Sequence, residues 1–232
     1  MEIIHKPEQE SLNKLAVSIL CKKTKEILKD KEYAVWALPG GRSVGGIFNI
    51  LSSQKDLDWA RVHFFMTDER LVTIEDDNSN FKLVLEKLLY PLLVKRKINK
   101  KNIHPFILRP GQRDLGLDIY KEKLIRLQDF YDIALLSSGE DGHIAGLFPG
   151  HATIRDGSDF YIKTDDSPKP PPERMSSSRK LLAKSGTMLL LFYGTDKKQA
   201  YDKFMDVGQS VENCPARLAL EVKDSFILTD QK

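Results

Sequence analysis

Three short segments of this 232-residue chain hold residue types that can do chemistry together. The first is Leu38-Pro39-Gly40-Gly41-Arg42-Ser43-Val44-Gly45-Gly46. Glycines between a strand and a helix let the backbone approach an anion. The free N–H groups at the helix start carry partial positive charge, and Arg42 and the Ser43 hydroxyl add donors. The plain alternative is a glycine turn with no ligand. The dinucleotide pattern G-x-G-x-x-G fails because Arg42 stands where the second glycine belongs. The P-loop pattern fails because no Lys-Ser or Lys-Thr follows. Residues 41–45 do match G-x-S-x-G, the nucleophile elbow of serine hydrolases. That chemistry needs a later histidine and acid, yet the last histidine is His151. An elbow on the first strand also has no earlier strand to supply an oxyanion donor.

The second and third segments are Thr67-Asp68-Glu69-Arg70 and Ser138-Gly139-Glu140-Asp141-Gly142-His143. A carboxylate beside an imidazole fixes the ring's orientation and stabilises its protonated form. Asp141 and His143 make such a pair if the turn at Gly142 folds back. The competing structural readings are a helix cap for Asp141 and a turn histidine for His143. A metal site built from Asp68, Asp141 and His143 has no familiar ligand spacing behind it. Arg174 and Lys197 are the cations placed near the anion, although each taken singly reads as a surface residue. His151 and Arg155 are candidate substrate contacts or members of a mobile loop.

Elements must bring these segments together. Leu12, Leu15, Ala16, Ile19, Leu20, Ile27 and Leu28 recur at helical spacing and predict a helix over 8–28. Apolar runs predict buried strands at 33–38, 62–67, 131–136 and 187–193, with a final strand at 225–229 and a short edge strand at 103–108, interrupted by Pro105. Helical spacing resumes after the glycine turn, over 80–94, over 115–127 and over 196–205. Strands alternating with helices argue for an α/β fold with a mostly parallel sheet. In such a sheet all three segments fall on one edge, where ligands bind. The stretch Ser167-Pro168-Lys169-Pro170-Pro171-Pro172-Glu173-Arg174 reads as a stiff polyproline loop inside one domain spanning 1–232, since the two strands beyond it are too few for a second core.

Composition excludes several classes. Lys plus Arg total 36 and Asp plus Glu 33, a net charge of +3. The main basic cluster, Lys95-Arg96-Lys97 with Lys100 and Lys101, follows a helix pattern without interleaved aromatics. It is expected to be a solvated helix end, with no nucleic-acid partner. Two cysteines, Cys21 and Cys214, exclude a disulfide scaffold and a multi-thiolate zinc site. No apolar run approaches a bilayer span and the start shows no signal-peptide pattern, so a cytoplasmic protein without membrane contact is expected.

Taken in order, these motifs resemble the 6-phosphogluconolactonase family, within the wider group that includes glucosamine-6-phosphate deaminase. The carrying residues are Leu38–Ser43, Thr67–Arg70 with Asn78-Ser79-Asn80, Gly139–His143 with Leu147-Phe148-Pro149-Gly150, Pro172-Glu173-Arg174 and Gly194-Thr195-Asp196-Lys197. The resemblance implies a parallel α/β sheet flanked by helices and no metal or organic cofactor. It implies hydrolysis of 6-phospho-D-glucono-1,5-lactone to 6-phospho-D-gluconate in the oxidative pentose phosphate pathway, by a monomer or weak dimer. By resemblance, Gly40, Gly41, Arg42, Ser43, Arg174 and Lys197 surround the phosphate, while Asp68, Arg70, Asp141 and His143 face the sugar ring, with His143 as general base. The deaminase branch carries Phe-Asn-Glu-Pro where this chain has Gly146-Leu147-Phe148-Pro149, which points to the lactonase. A sugar-phosphate sensor is the non-catalytic alternative, but the residues before Tyr33 are too few for a DNA-binding module. Pro39, Ser137, Ser138 and the Ile144-Ala145-Gly146 stretch depart from the family's usual residues. There, backbone roles carry over and side-chain contacts do not.

Overall fold

The computed structural model describes residues 1–231. Its main sheet has six strands: β1 (Glu2–His5), β2 (Ala34–Leu38), β3 (Val62–Met66), and, further along the chain, Ile133–Ser137, Thr187–Phe192 and Asp224–Thr229. Between them run three short strands, so in chain order β4 is Asp68–Arg70, β5 Ile133–Ser137, β6 Tyr161–Thr164, β7 Arg174–Ser177, β8 Thr187–Phe192 and β9 Asp224–Thr229. The large sheet has the order β1-β9-β8-β5-β2-β3, and every neighbouring pair is parallel. The expected α/β architecture is therefore observed. Strands β2, β5 and β8 are buried along their lengths, apart from half-buried Ser137, because helices cover the sheet.

The order reverses direction at β2, whose neighbours are β3 on one side and β5 on the other. Loops leaving the carboxyl ends of β2 and β5 therefore diverge and open a crevice between them. The glycine segment leaves β2 and the Asp141–His143 segment leaves β5. Buried Asp132 pins the two strands at their opposite ends. Its carboxylate accepts from the Val35 N–H at 2.8 Å and from Lys31 Nζ at 2.6 Å.

A second sheet, β4-β7-β6, is antiparallel and sits beside the crevice. Its register sets Asp68 opposite Ser176 and Arg70 opposite Arg174. Three-residue β4 is too short for periodicity to reveal, and β1 is exposed except at Ile4, so neither is visible as an apolar run. β1 does precede β2 in the chain, yet it lies at the far edge of the sheet and offers nothing to the turn after β2.

The opening helix covers Gln9–Asp30 and packs on the helix Gly45–Leu51 that follows the glycine turn. The helix expected over 80–94 is interrupted. Asn80–Val84 and Tyr90–Val94 are α-helical, and Leu85–Leu89 between them forms a π-helical turn. Pro91 lacks the N–H for an intrahelical bond and its ring crowds the preceding turn, so the helix winds more loosely just before it. The expected edge strand over 103–108 reduces to one bridge, Ile103 to Phe64, and Pro105 donates nothing beyond it. The helix expected over 115–127 is confined to Leu117–Ile125, because Leu115 and Gly116 both have positive φ.

Candidate active site

The crevice holds about 910 Å³. The residues that the resemblance placed at the phosphate and the sugar ring line it, except Asp141, which stands behind His143.

The turn after β2 begins with Gly40 and Gly41. Gly41 has φ +95°, a backbone state that side chains resist, and it starts a short 3₁₀ turn at Arg42–Val44 that runs into the helix Gly45–Leu51. Arg42 is exposed, and neither its guanidinium nor the Ser43 hydroxyl bonds another side chain among the described residues. The turn after β8 repeats this design. Gly194 has φ +95°, and a 3₁₀ turn at Thr195–Lys197 leads into the helix Lys198–Met205. Lys197 is largely buried, with Nζ 3.5 Å from Asp196. Two glycine-led turns thus aim N–H groups and cations at one space.

The β5 loop is built differently. Gly139 N–H donates to the His143 carbonyl at 2.8 Å, closing the loop on itself. The His143 ring Nδ1 lies 2.6 Å from Asp141 Oδ1, and the same oxygen accepts the His143 backbone N–H at 3.1 Å. Burial works to raise the Asp141 carboxyl, but these hydrogen bonds and the charge of the imidazole hold it well below the usual carboxylate range. Asp141 is therefore an ionised acceptor for Nδ1–H, a tautomer that leaves Nε2 free to take a proton. Phe148 packs against the imidazole at 4.8 Å between ring centres. Gly139 lies against its other surroundings so closely that a Cβ there would come within 2.0 Å of His143 Cε1.

Asp68 and Arg70 flank buried Glu69 on β4. Glu69 accepts the N–H groups of Arg70, Asn80 and Phe81 and the Ser79 hydroxyl, which anchors the helix start at Asn80. Burial raises its carboxyl despite those donors. Its role is structural, and its removal would strand several buried donors at about 1–3 kcal/mol each. Asn80 connects the site. Its Nδ2 donates to Asp68 Oδ2 at 3.0 Å, its Oδ1 accepts from Arg70 Nη1, and its side chain packs on Gly40, where no Cβ would fit. The Asn78-Ser79-Asn80 motif was the signal for it, although no role was attached to it from sequence.

Arg174 is buried beneath the proline loop. Its Nε donates to Pro171 O at 3.1 Å and Ser167 Oγ at 3.2 Å, and its Nη2 to Lys169 O at 3.2 Å and Pro170 O at 3.1 Å. Nη1 lies 4.0 Å from Asp68 Oδ2 and the guanidinium sits over Phe148. Burial lowers its pKa, opposed by Asp68. Most of this fork is thus spent on backbone carbonyls, which sequence reasoning did not anticipate.

His151 and Arg155 do not line the crevice. His151 caps the helix Ala152–Arg155 through Nδ1 and approaches Asp166 at 3.2 Å, while Arg155 pairs with Glu212. Asp68, Asp141 and His143 do not converge as a metal triad either, since Asp68 turns to Asn80, Thr67 and Arg174. The basic cluster is exposed at Lys95, Arg96, Lys100 and Lys101, as expected, and half-buried at Lys97. Lys95 and Lys97 donate to the Ser52 and Gln54 carbonyls at 3.0 Å each, just past the end of the helix Gly45–Leu51.

Comparison with known proteins places this geometry. Residues 7–228 match the family model of glucosamine-6-phosphate isomerases/6-phosphogluconolactonase. A 6-phosphogluconolactonase of Borreliella burgdorferi is 33% identical over 204 residues, covering 88% of this chain and 86% of that protein. The crystal structure of 6-phosphogluconolactonase from Thermotoga maritima superposes with a TM-score of 0.82 at 25% identity, covering 98% of each chain. A monomeric glucosamine-6-phosphate deaminase superposes equally well, at 0.82, with 20% identity over 99% of this chain and 97% of that one, which is a likeness of fold alone. The family model covers the sheet from β2 to residue 228 and every segment of the crevice, and the chain belongs to the glucosamine-6-phosphate isomerase/6-phosphogluconolactonase family.

Proposed function

We propose that this chain is a 6-phosphogluconolactonase, hydrolysing 6-phospho-D-glucono-1,5-lactone with His143 as general base. The observation that carries the reading is the His143–Asp141 pair at 2.6 Å, set in the same crevice as two glycine-led turns bearing Arg42 and Lys197. The neutral imidazole Nε2 takes a proton from water as the water oxygen bonds to the lactone carbonyl carbon. The imidazolium then returns that proton to the ring oxygen as the carbon–oxygen bond breaks. The product is the open-chain hydroxy acid.

The phosphate belongs at the two glycine turns, where N–H groups, Arg42 and Lys197 meet, with Arg174 lining the same crevice. Asp68 holds sugar hydroxyls. Arg70 is tied to Asn78 O and Asn80, so it acts from a fixed position. Binding at a phosphate remote from the reacting carbon orients the lactone, and its effect belongs in turnover as well as in affinity.

The deaminase alternative lacks support at the His143 wall. Where that branch carries a glutamate, this chain has Phe148, whose ring packs on the imidazole and lies beneath Arg174. A carboxylate relay for ring opening has no counterpart there. The test is a coupled assay in which a glucose-6-phosphate dehydrogenase makes the lactone and acid release is followed above the spontaneous rate. Acceleration by the protein, with no release of ammonia from glucosamine 6-phosphate, is the expected result. The reverse pattern would move the chain to the deaminase branch, and binding without either reaction would make it a sensor.

A further inference from the structure

The proline loop presents a cation to the crevice that the reading above leaves without a role. Lys169 lines the crevice together with His143 and Ala145, near the start of the Pro168–Pro172 stretch. Its backbone is fixed from below. The Lys169 carbonyl accepts from both Ser167 Oγ, at 2.9 Å, and Arg174 Nη2, at 3.2 Å. The same guanidinium holds the carbonyls of Pro170 and Pro171, and it is 5% exposed. A buried fork that satisfies three successive carbonyls is a clamp, and the residue it clamps at the crevice edge is a lysine.

Three of the other cations around the crevice already have partners, while Arg42 has none and Arg70 Nε is without one among the described residues. Arg70 Nη1 is bound to Asn78 and Asn80, Arg174 to the loop, and Lys197 is beside Asp196 at its own glycine turn. Arg42 stands on the turn after β2. The Lys169 ammonium has no hydrogen-bond or ion-pair partner among the described residues. Its charge reaches the Asp141 carboxylate and helps hold that group ionised.

We propose that Lys169 is a catalytic residue of the lactone hydrolysis, its ammonium stabilising the negative charge that grows on the carbonyl oxygen, and that Arg174 is the positioning residue that holds it there. The proposal rests on the lactonase reading. As water adds, the carbonyl π electrons move to oxygen, the proton of water goes to His143, and Lys169 supplies charge without transferring a proton. A half-buried cation carried on a clamped backbone does this better than one on a free chain, because less ordering is left for the moment of reaction. A positive charge placed there disfavours a second cation forming beside it.

The experiment compares wild type, Lys169→Ala, Lys169→Arg and Arg174→Lys on 6-phosphogluconolactone and on unphosphorylated gluconolactone, with pH profiles of kcat/KM. Lys169→Ala is expected to lower kcat by about 10²–10³-fold on both substrates, the span for losing one oxyanion donor. Its acid limb should move to higher pH, because the imidazolium loses a repelling neighbour, and Lys169→Arg should restore part of both. Arg174→Lys keeps a charge but cannot bridge three carbonyls, so it should lower kcat and shift the limb in the same direction. Wild-type turnover by Lys169→Ala, or a loss confined to the phosphorylated lactone, would overturn the role of Lys169. An unshifted limb in Arg174→Lys would overturn the clamp. Failure of wild type itself to accelerate either lactone would instead overturn the lactonase reading.

Discussion

The turn after β2 and the loop after β5 lie side by side at the switch point of one sheet, yet they are built on opposite principles. The first keeps its polar groups open. Gly41 turns the chain with φ +95°, and Arg42 and Ser43 face the crevice without side-chain partners among the described residues. The second is closed on itself, with Gly139 bonded to the His143 carbonyl and Asp141 bonded twice to His143. An open turn obtains its order from the ligand, whereas a closed loop holds one imidazole in one tautomer before any ligand arrives. On the proposed lactonase reading, binding falls to the first and chemistry to the second.

The contrast breaks first at His143. His143→Ala should lower turnover by about 10²–10⁴-fold, with and without phosphate on the lactone, as expected for a lost general base. Gly139→Ala comes next. Its new Cβ would fall within 2.0 Å of the imidazole, and displacing that ring should cost about 10²-fold in kcat while circular dichroism and melting show an intact fold. On the binding side, Arg42→Ala removes charge-assisted bonds of about 1.5–3 kcal/mol, roughly 10–100-fold in kcat/KM, from the phosphorylated substrate alone. Equal losses on an unphosphorylated lactone would erase the distinction between the two loops. Ser43→Ala should change turnover little, since a hydroxyl among several donors is no nucleophile here. Abolished activity would revive the serine elbow.

The least effect on turnover is expected far from the crevice, at His104. This ring lies 2.9 Å from His63, stacks on Phe65, and is held neutral by burial first and by His63 second, to about 3. The unfolded chain takes up that proton at its ordinary pKa of 6.5 and the folded chain does not. Stability therefore falls as pH drops from about 6.5 toward 3. His104→Gln should flatten this slope in thermal melts at successive pH values, with kcat at neutral pH unaffected.

Much of this fold was legible because its parallel strands are continuous apolar runs and its flanking helices carry apolar stripes. What escaped the pattern was made by pairing rather than by composition. β4 exists because Asp68–Arg70 finds β7, and that pairing places Arg70 opposite Arg174. The site followed the same rule. Gly40, Gly41, Arg42, Ser43, Asp68, Arg70, His143, Arg174 and Lys197 line one crevice as their motifs suggested, because each motif ends a strand or opens a turn on one sheet edge. The role of Asn80, though not its motif, and the clamp beneath Lys169 were not readable. An amide that serves a carboxylate, an arginine and a glycine at once, and a guanidinium spent on proline-loop carbonyls, are contacts between segments that no local spacing records.

The division between an open binding turn and a closed catalytic loop is tested most directly by one measurement. It follows acid release from enzymatically generated 6-phosphogluconolactone, for wild type and His143→Ala at equal concentration, against the spontaneous rate across pH. Wild type should accelerate hydrolysis with an acid limb that titrates as a single group, since Asp141 stays ionised throughout, and His143→Ala should lose both the acceleration and the limb. A His143→Ala protein that retains wild-type turnover, or a limb that persists without the imidazole, would contradict the account.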